Sequence, residues 1–274
     1  MNSESETWRL IIDAPCDGPT NMAVDETILE SVGRGESLPT LRLYAWNPPC
    51  LSLGYAQPIK DADLDRIASY GWHIVRRLTG GRAILHTDEL TYSVALPLDH
   101  PLVEGTILDS YRRISAALLV AVQHIGLEAN ADKRPRTPAS AVGPVCFELP
   151  SNYEITADSK KLIGSAQVRK HNGALQHGSL PLSGDLKRIT EALAFPDEPS
   201  RHNAAERITR RATTLSDALG YAISWERMVE AIKSAFEETF SVRLEPAELT
   251  PAESIRATEL CQTRYADPDW TAKL

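Results

Sequence analysis

Apolar positions along the chain switch between two periods. Val24, Ile28, Leu29 and Val32 recur at helical spacing and predict a helix over 21–32, with Thr20 as its N-cap and Gly33 as its stop. Leu41-Arg-Leu-Tyr-Ala-Trp46 alternates as a strand does, Asn47-Pro-Pro49 ends it, and Leu51-Ser-Leu-Gly54 reads as the next strand. A short helix over 61–70 leads to a strand over 72–76, a break at Thr79-Gly-Gly81, strands over 83–85 and 91–96, and a long amphipathic helix over 107–125. Residues 128–145 read as a loop rich in proline, alanine and charge. Three strands follow over 146–157, 162–169 and 174–180, joined at Asp158-Ser159 and Asn172-Gly173. Asn-Gly between apolar runs is a strong hairpin signal. Further helices are expected over 185–193, 224–240 and 251–265. Strands and helices interspersed with hairpins predict an α+β fold: a mixed, largely antiparallel sheet flanked by helices. The expected division is a principal domain over 1–245 and a short helical appendage over 246–274.

Composition changes this picture little. The chain has 274 residues, 42% hydrophobic and 24% charged, which suits a packed domain rather than a disordered one. Its formal net charge of −8 argues against nucleic acid as a partner, since such binders carry a basic footprint. Three local basic runs stand out: Lys133, Arg134 and Arg136; Arg76, Arg77 and Arg82; and Lys160, Lys161, Arg169 and Lys170. Each alone is most often a solvated face; converging, they would favour an acidic partner. Cys16, Cys50, Cys146 and Cys261 show neither a disulfide framework nor zinc-site spacing. The polar start, Met1 to Trp8, is unlike a secretory signal, and no apolar run reaches the ~20 residues of a membrane helix. A cytoplasmic protein with reduced thiols, without a membrane partner, is expected.

Two segments carry chemistry. In Arg76-Arg-Leu-Thr-Gly-Gly-Arg-Ala-Ile-Leu-His86 the paired glycines let backbone pass close to a ligand, although read alone such a turn is more often a plain hairpin. The second is Cys146-Phe-Glu-Leu-Pro150 followed by Lys160-Lys-Leu-Ile-Gly-Ser-Ala-Gln167. A lone cysteine is usually a small buried hydrophobe. Here Cys146 and Lys161 fall on strands read as neighbours, ~4.8 Å apart, so a lysine ammonium would reach the thiol and favour the thiolate. The alternative for Lys161 is a solvent-facing turn. His86 and His177 lack metal-ligand spacing and read as structural or site-lining, while Asp25 and Glu26 read as surface charges. There is neither a P-loop nor a Gly-x-Gly-x-x-Gly after a strand.

Arg77-Leu-Thr-Gly-Gly-Arg-Ala-Ile-Leu-His86 with Glu89-Leu-Thr-Tyr-Ser-Val94 resembles the acyl-binding segment of the lipoate protein ligase A and octanoyltransferase group of the biotin/lipoate A/B protein ligase superfamily. Asn21-Met-Ala-Val-Asp25, Arg42-Leu-Tyr-Ala-Trp-Asn-Pro48, Val145-Cys-Phe147, Lys161-Leu-Ile-Gly-Ser-Ala-Gln167 and Gln176-His-Gly-Ser179 complete the set in order. Within that group the sequence looks most like the LipM type, the octanoyl-ACP:protein N-octanoyltransferases. The resemblance implies a catalytic domain over 1–245. It implies Cys146 as the residue that carries the acyl thioester and Lys161 as the residue that lowers its pKa. It implies substrate-binding roles for Arg77, Thr79, Gly80, Gly81, Arg82 and His86, and for Gly164, Ser165, Ala166, His177 and Gly178.

The implied reaction moves an octanoyl group from octanoyl-acyl carrier protein to a lysine of a lipoyl-accepting protein such as glycine cleavage H protein. No ATP and no metal are expected as cofactors, and a monomeric chain is expected. Ile84, Leu85 and Val94 are expected to line the acyl slot, and Lys133 to Arg136 or Arg169 to Lys170 to form a basic rim. The alternatives are an ATP-dependent lipoate ligase, an amidotransferase moving octanoyl or lipoyl groups between carrier domains, and a module that holds acyl carriers without turnover. Gly80-Gly-Arg-Ala83, where ligases commonly read Gly-Gly-Gly-Ala, and the short stretch after Glu245 argue against the ligase.

Overall fold

The computed structural model describes residues 5–132 and 154–274; Cys146 and the run Lys133, Arg134 and Arg136 lie outside the described residues. The chain opens with β1 (Glu6–Ile12) and α1 (Gly18–Gly33). Helix α1 starts earlier than Thr20: Asp17 is the N-cap, its carboxylate accepting from Thr20 N at 2.8 Å, and Pro19 fits a first turn that needs no N–H donor. Next come β2 (Thr40–Tyr44), β3 (Cys50–Leu53), α2 (Leu64–Ser69), β4 (His73–Arg76), β5 (Ile84–His86) and β6 (Glu89–Pro97). Helix α3 (Ile107–His124) is fixed by a capping box between Thr106 and Asp109. After it come β7 (Asn130–Asp132), β8 (Glu154–Ala157), β9 (Lys160–Lys170) and β10 (Gly173–Pro181). The chain continues through α4 (Ile189–Ala192), α5 (Glu198–Arg211), α6 (Leu215–Leu219), α7 (Trp225–Phe240), β11 (Val242–Pro246), α8 (Pro251–Leu260) and α9 (Pro268–Ala272).

Eight described strands form one sheet in the order β11-β1-β2-β6-β10-β9-β8-β7. The β11-β1-β2 pairs are parallel and the rest antiparallel, so the sheet is mixed and largely antiparallel. The two hairpins that present β9 use the left-handed region at both turn residues: Asp158 and Ser159 before it, His171 and Asn172 after it. The second turn is thus one residue earlier than Asn172-Gly173, with Gly173 already paired to Lys170.

Side-chain alternation divides the core in two. Leu41, Leu43, Tyr92, Val94 and Leu96 face α3 and α7, where Leu118, Val122, Ile232 and Phe236 complete one cluster. Tyr44, Ala95 and Leu175 face α1 and α8 with Ile28, Leu29 and Leu260. A second sheet, ordered β4-β3-β5, packs Leu51, Leu53 and Ile84 against Ile67 of α2, Ala192 of α4 and Ile208 of α5. Among the described residues no helix is long and apolar enough to cross a membrane.

Candidate active site

Where the α1 face of the large sheet meets the small sheet lies a pocket lined mainly by apolar surface. The residues expected at a site converge here from three segments. Arg77, Gly81 and His86 come from the glycine segment, Gly164, Ser165 and Ala166 from β9, and His177 and Gly178 from β10. Sequence reasoning missed Met22, Trp46, Ser52 and Thr91 as wall residues; Ile84 and Ser179 also line it. Gly178 must lack a side chain, because a Cβ would stand 2.5 Å from Ser165 Oγ and 2.7 Å from Tyr92 Cε1. The pleat decides which apolar residues reach the pocket: Ile84, besides packing in the small-sheet core, lines it together with His86 two positions on, whereas Leu85 between them does not and Val94 faces α3. The expectation for Leu85 and Val94 is therefore corrected.

Asp25 and Glu26 are buried, not surface charges. Asp25 accepts from Arg42 Nη1 at 2.8 Å, Tyr44 Oη at 2.9 Å, Ser93 Oγ at 2.9 Å and His177 Nδ1 at 3.0 Å. Burial alone would raise its carboxyl, but the His177 bond and the Arg42 charge outweigh this and hold it below the usual range. Burial pulls His177 below the ordinary histidine value in spite of Asp25. A neutral His177 with its proton on Nδ1 donates to Asp25 and accepts at Nε2 from the Thr79 hydroxyl, 2.7 Å away.

A second histidine–carboxylate couple stands opposite. His86 Nδ1 lies 2.7 Å from Glu89 Oε1, which also accepts from Thr91 Oγ1 at 2.6 Å, and Ser179 Oγ donates to Glu89 Oε2. Burial would raise the Glu89 carboxyl, but His86 and these hydroxyls lower it. Trp46 stacks on His86 with centroids 3.9 Å apart and donates its indole N–H to Thr91 Oγ1 at 2.7 Å.

Arg77 joins the two couples. Its Nε donates to Thr79 Oγ1 at 3.2 Å, and Nη1 to Ser52 Oγ at 3.0 Å, itself 2.8 Å from His86 Nε2. Nη2 donates to the carbonyls of Gly80 and Arg82, so these two expected site residues shape the loop through their backbone and are absent from the lining. Arg76 and Arg77 are buried, which corrects the solvated-face reading of that basic run. Arg169 is likewise engaged, donating to the carbonyls of Val103, Gly105 and Thr106.

Lys161 is buried on β9, three residues before Gly164, paired across the hairpin with Thr156 and accepting at its carbonyl from Thr213 N at 3.0 Å. The Cys146–Lys161 pairing lies outside the described residues.

The family model described as the lipoyl protein ligase A/B catalytic domain matches residues 17–237. A protein of Kyrpidia tusciae named octanoyltransferase LipM is 39% identical, covering 97% of this chain and 98% of its own. One of the same name from Moorella thermoacetica is 41% identical, again covering 97% and 98%. Among solved structures, the bipartite lipoate protein ligase of Thermoplasma acidophilum superposes with a TM-score of 0.82 at 25% identity, covering 97% of this chain and 96% of that one.

Proposed function

The chain belongs to the lipoyl protein ligase A/B catalytic-domain family, and from that membership we propose that it moves an octanoyl group from acyl carrier protein, through a thioester on Cys146, to a lysine of a lipoyl-accepting protein such as glycine cleavage H protein. The protein is an acyltransferase of lipoate biosynthesis. The observation that carries the finer reading is the chemistry of the pocket. The charged and polar groups of its wall are engaged with one another or with Asp25 and Glu89 behind it, and what they leave between Met22, Trp46, Ile84 and Ala166 suits a hydrocarbon. Burying the methylenes of an eight-carbon chain there supplies about 5 kcal/mol, at ~0.8 kcal/mol each.

The donor thioester is already activated, so the scheme consumes no ATP and needs no metal. The Cys146 thiolate, favoured by the Lys161 ammonium, attacks the octanoyl carbonyl and expels the carrier thiol. In this scheme backbone N–H groups near Gly81 and Gly164, both of which line the pocket, would stabilise the developing oxyanion. The acceptor lysine amine then attacks the enzyme thioester, the amide forms, and Cys146 leaves as thiol. Lys161 passes the proton in each half-reaction.

The likeness to the archaeal ligase favours a second reading, ATP-dependent ligation of free acid. Incubation with a lipoyl-accepting protein separates the two. Octanoylation from octanoyl-acyl carrier protein without ATP is the expected result; modification only from octanoate or lipoate with ATP establishes the ligase.

A further inference from the structure

Residues 268–274 lie beyond the stretch matched by the family model, yet they close around the base of the glycine segment. Arg76, the last residue of β4, is completely buried. All five of its guanidinium bonds go to backbone carbonyls. Nε and Nη2 donate to Thr271 O at 3.0 and 2.6 Å, and Nη1 donates to Gly54 O at 2.9 Å, Tyr55 O at 3.2 Å and Gln57 O at 2.5 Å. The indole of Trp270 returns a bond to Arg76 O at 2.9 Å. Lys273 Nζ sits 3.6 Å from the ring centroids of both Tyr55 and Trp270, and Ile59 N donates to Leu274 O at 2.8 Å.

The 54–57 loop is in turn the backing of the pocket's glycines. Gly54 lies so close to Gly81 that a Cβ on it would stand 2.1 Å from Gly81 O. Tyr55 N donates to Thr79 O at 2.8 Å, and Arg77 N donates to Leu53 O at 3.0 Å. Force therefore passes from Thr271 through Arg76 to Gly54 and Tyr55, and from these to Thr79 and Gly81.

We propose that residues 268–274 are a positioning clasp for the acyl pocket, acting through Arg76 to hold the 77–81 segment in register. Arg76 is a positioning residue: it touches no pocket space, but the loop that forms the pocket wall takes its place from the carbonyls Arg76 gathers. When residues 268–274 leave, this buried guanidinium loses the Thr271 carbonyl, the acceptor for its Nε and Nη2, and keeps only the three bonds from Nη1, so the remaining loop must rearrange to satisfy the freed donors.

Two measurements test this, and only the kinetic one rests on the octanoyl-transfer reading. In a chain lacking residues 268–274, and in Trp270→Ala, the amides of Tyr55 and Arg77 should exchange with solvent roughly 10-fold faster or more, while those of β6 and β10 keep their protection. In the same variants the KM for an octanoyl thioester should rise about 10-fold, with a fall in the ratio of kcat/KM for octanoyl over hexanoyl thioesters. Loss of fold alone does not change a selectivity ratio measured on the folded fraction. Trp270→Phe, which keeps the ring beside Lys273 and loses only the indole donor, should lie between wild type and Trp270→Ala. Unchanged exchange at Tyr55 and Arg77 in Trp270→Ala overturns the clasp, whether or not the deleted chain folds. A wild type inert toward octanoyl thioesters would refute the proposed function while leaving the exchange result to decide the clasp.

Discussion

Asp25 and His177 carry opposite demands. The carboxylate stays charged in a buried site because Arg42, Tyr44, Ser93 and His177 all donate to it, and the imidazole stays neutral because burial outweighs that same carboxylate. Asp25→Asn keeps the shape and removes the charge that faces Arg42. It should cost on the order of 3–5 kcal/mol, a fall of about 10 °C in melting temperature by calorimetry. His177 titrates in the folded protein below its ordinary 6.5. Its neutral form therefore supports the fold fully above that pH, and the support is lost as pH falls through the folded value. In His177→Gln that part of the acid-side loss of stability should vanish. Lys161→Met should slow octanoylation at neutral pH and move the rate profile to higher pH; an unmoved profile would remove Lys161 from control of the thiol. Sequence reading found His177 through its motif but misjudged Asp25 and Glu26. Their partners are Arg42, 17 residues from Asp25, and Arg264, 238 residues from Glu26, and periodicity within one helix carries no sign of either.

At the scale of elements, the hairpins and amphipathic helices were legible because local spacing specifies them. The structure realises the helix expected over 107–125 as Ile107–His124 and the strand expected over 174–180 as Gly173–Pro181. Elements made by long-range pairing were not legible: β1 and β11 lie in parallel, Glu6 beside Val242, and α5 is too polar to announce a core face. Helix α8 shows what such pairing contributes. Its capping-box residue Glu253 also takes both Nη groups of Arg9 from β1, at 2.8 and 2.9 Å, and a bond from Ser37 Oγ. Burial would raise this carboxyl, yet the Arg9 bonds and the Thr250 backbone bring it down to about 2. With a folded value below 4.5, the pair stabilises fully above pH 4.5 and loses its effect as pH falls toward 2. Glu253→Gln should lower stability by about 3 kcal/mol at neutral pH and flatten that acid dependence in urea titrations. Glu26, Glu30 and His171 crowd together nearby, but Arg264 and Arg256 occupy the carboxylates, so the cluster ties α8 and the turn after it to α1.

Across the whole molecule, the α+β class followed from interspersed strands, helices and hairpin turns, and the large sheet matches it. The separate small sheet did not follow from that pattern, since β3, β4 and β5 are three or four residues each and read alone as additions to one sheet. That separation makes the pocket: one wall belongs to β9 and β10, the other to the glycine segment between β4 and β5. Motif order located most of these walls. Trp46 and Met22 went unnoticed because they reach the pocket only when β2 and α1 pack beside it.

The central claim is that Cys146 carries the acyl group. Intact-protein mass spectrometry after mixing with octanoyl-acyl carrier protein, without ATP, tests it most directly. A hydroxylamine-labile octanoyl adduct should form on the wild type and be absent from Cys146→Ser. A wild type that gains no adduct, or a Cys146→Ser chain that gains the same one, would contradict the account.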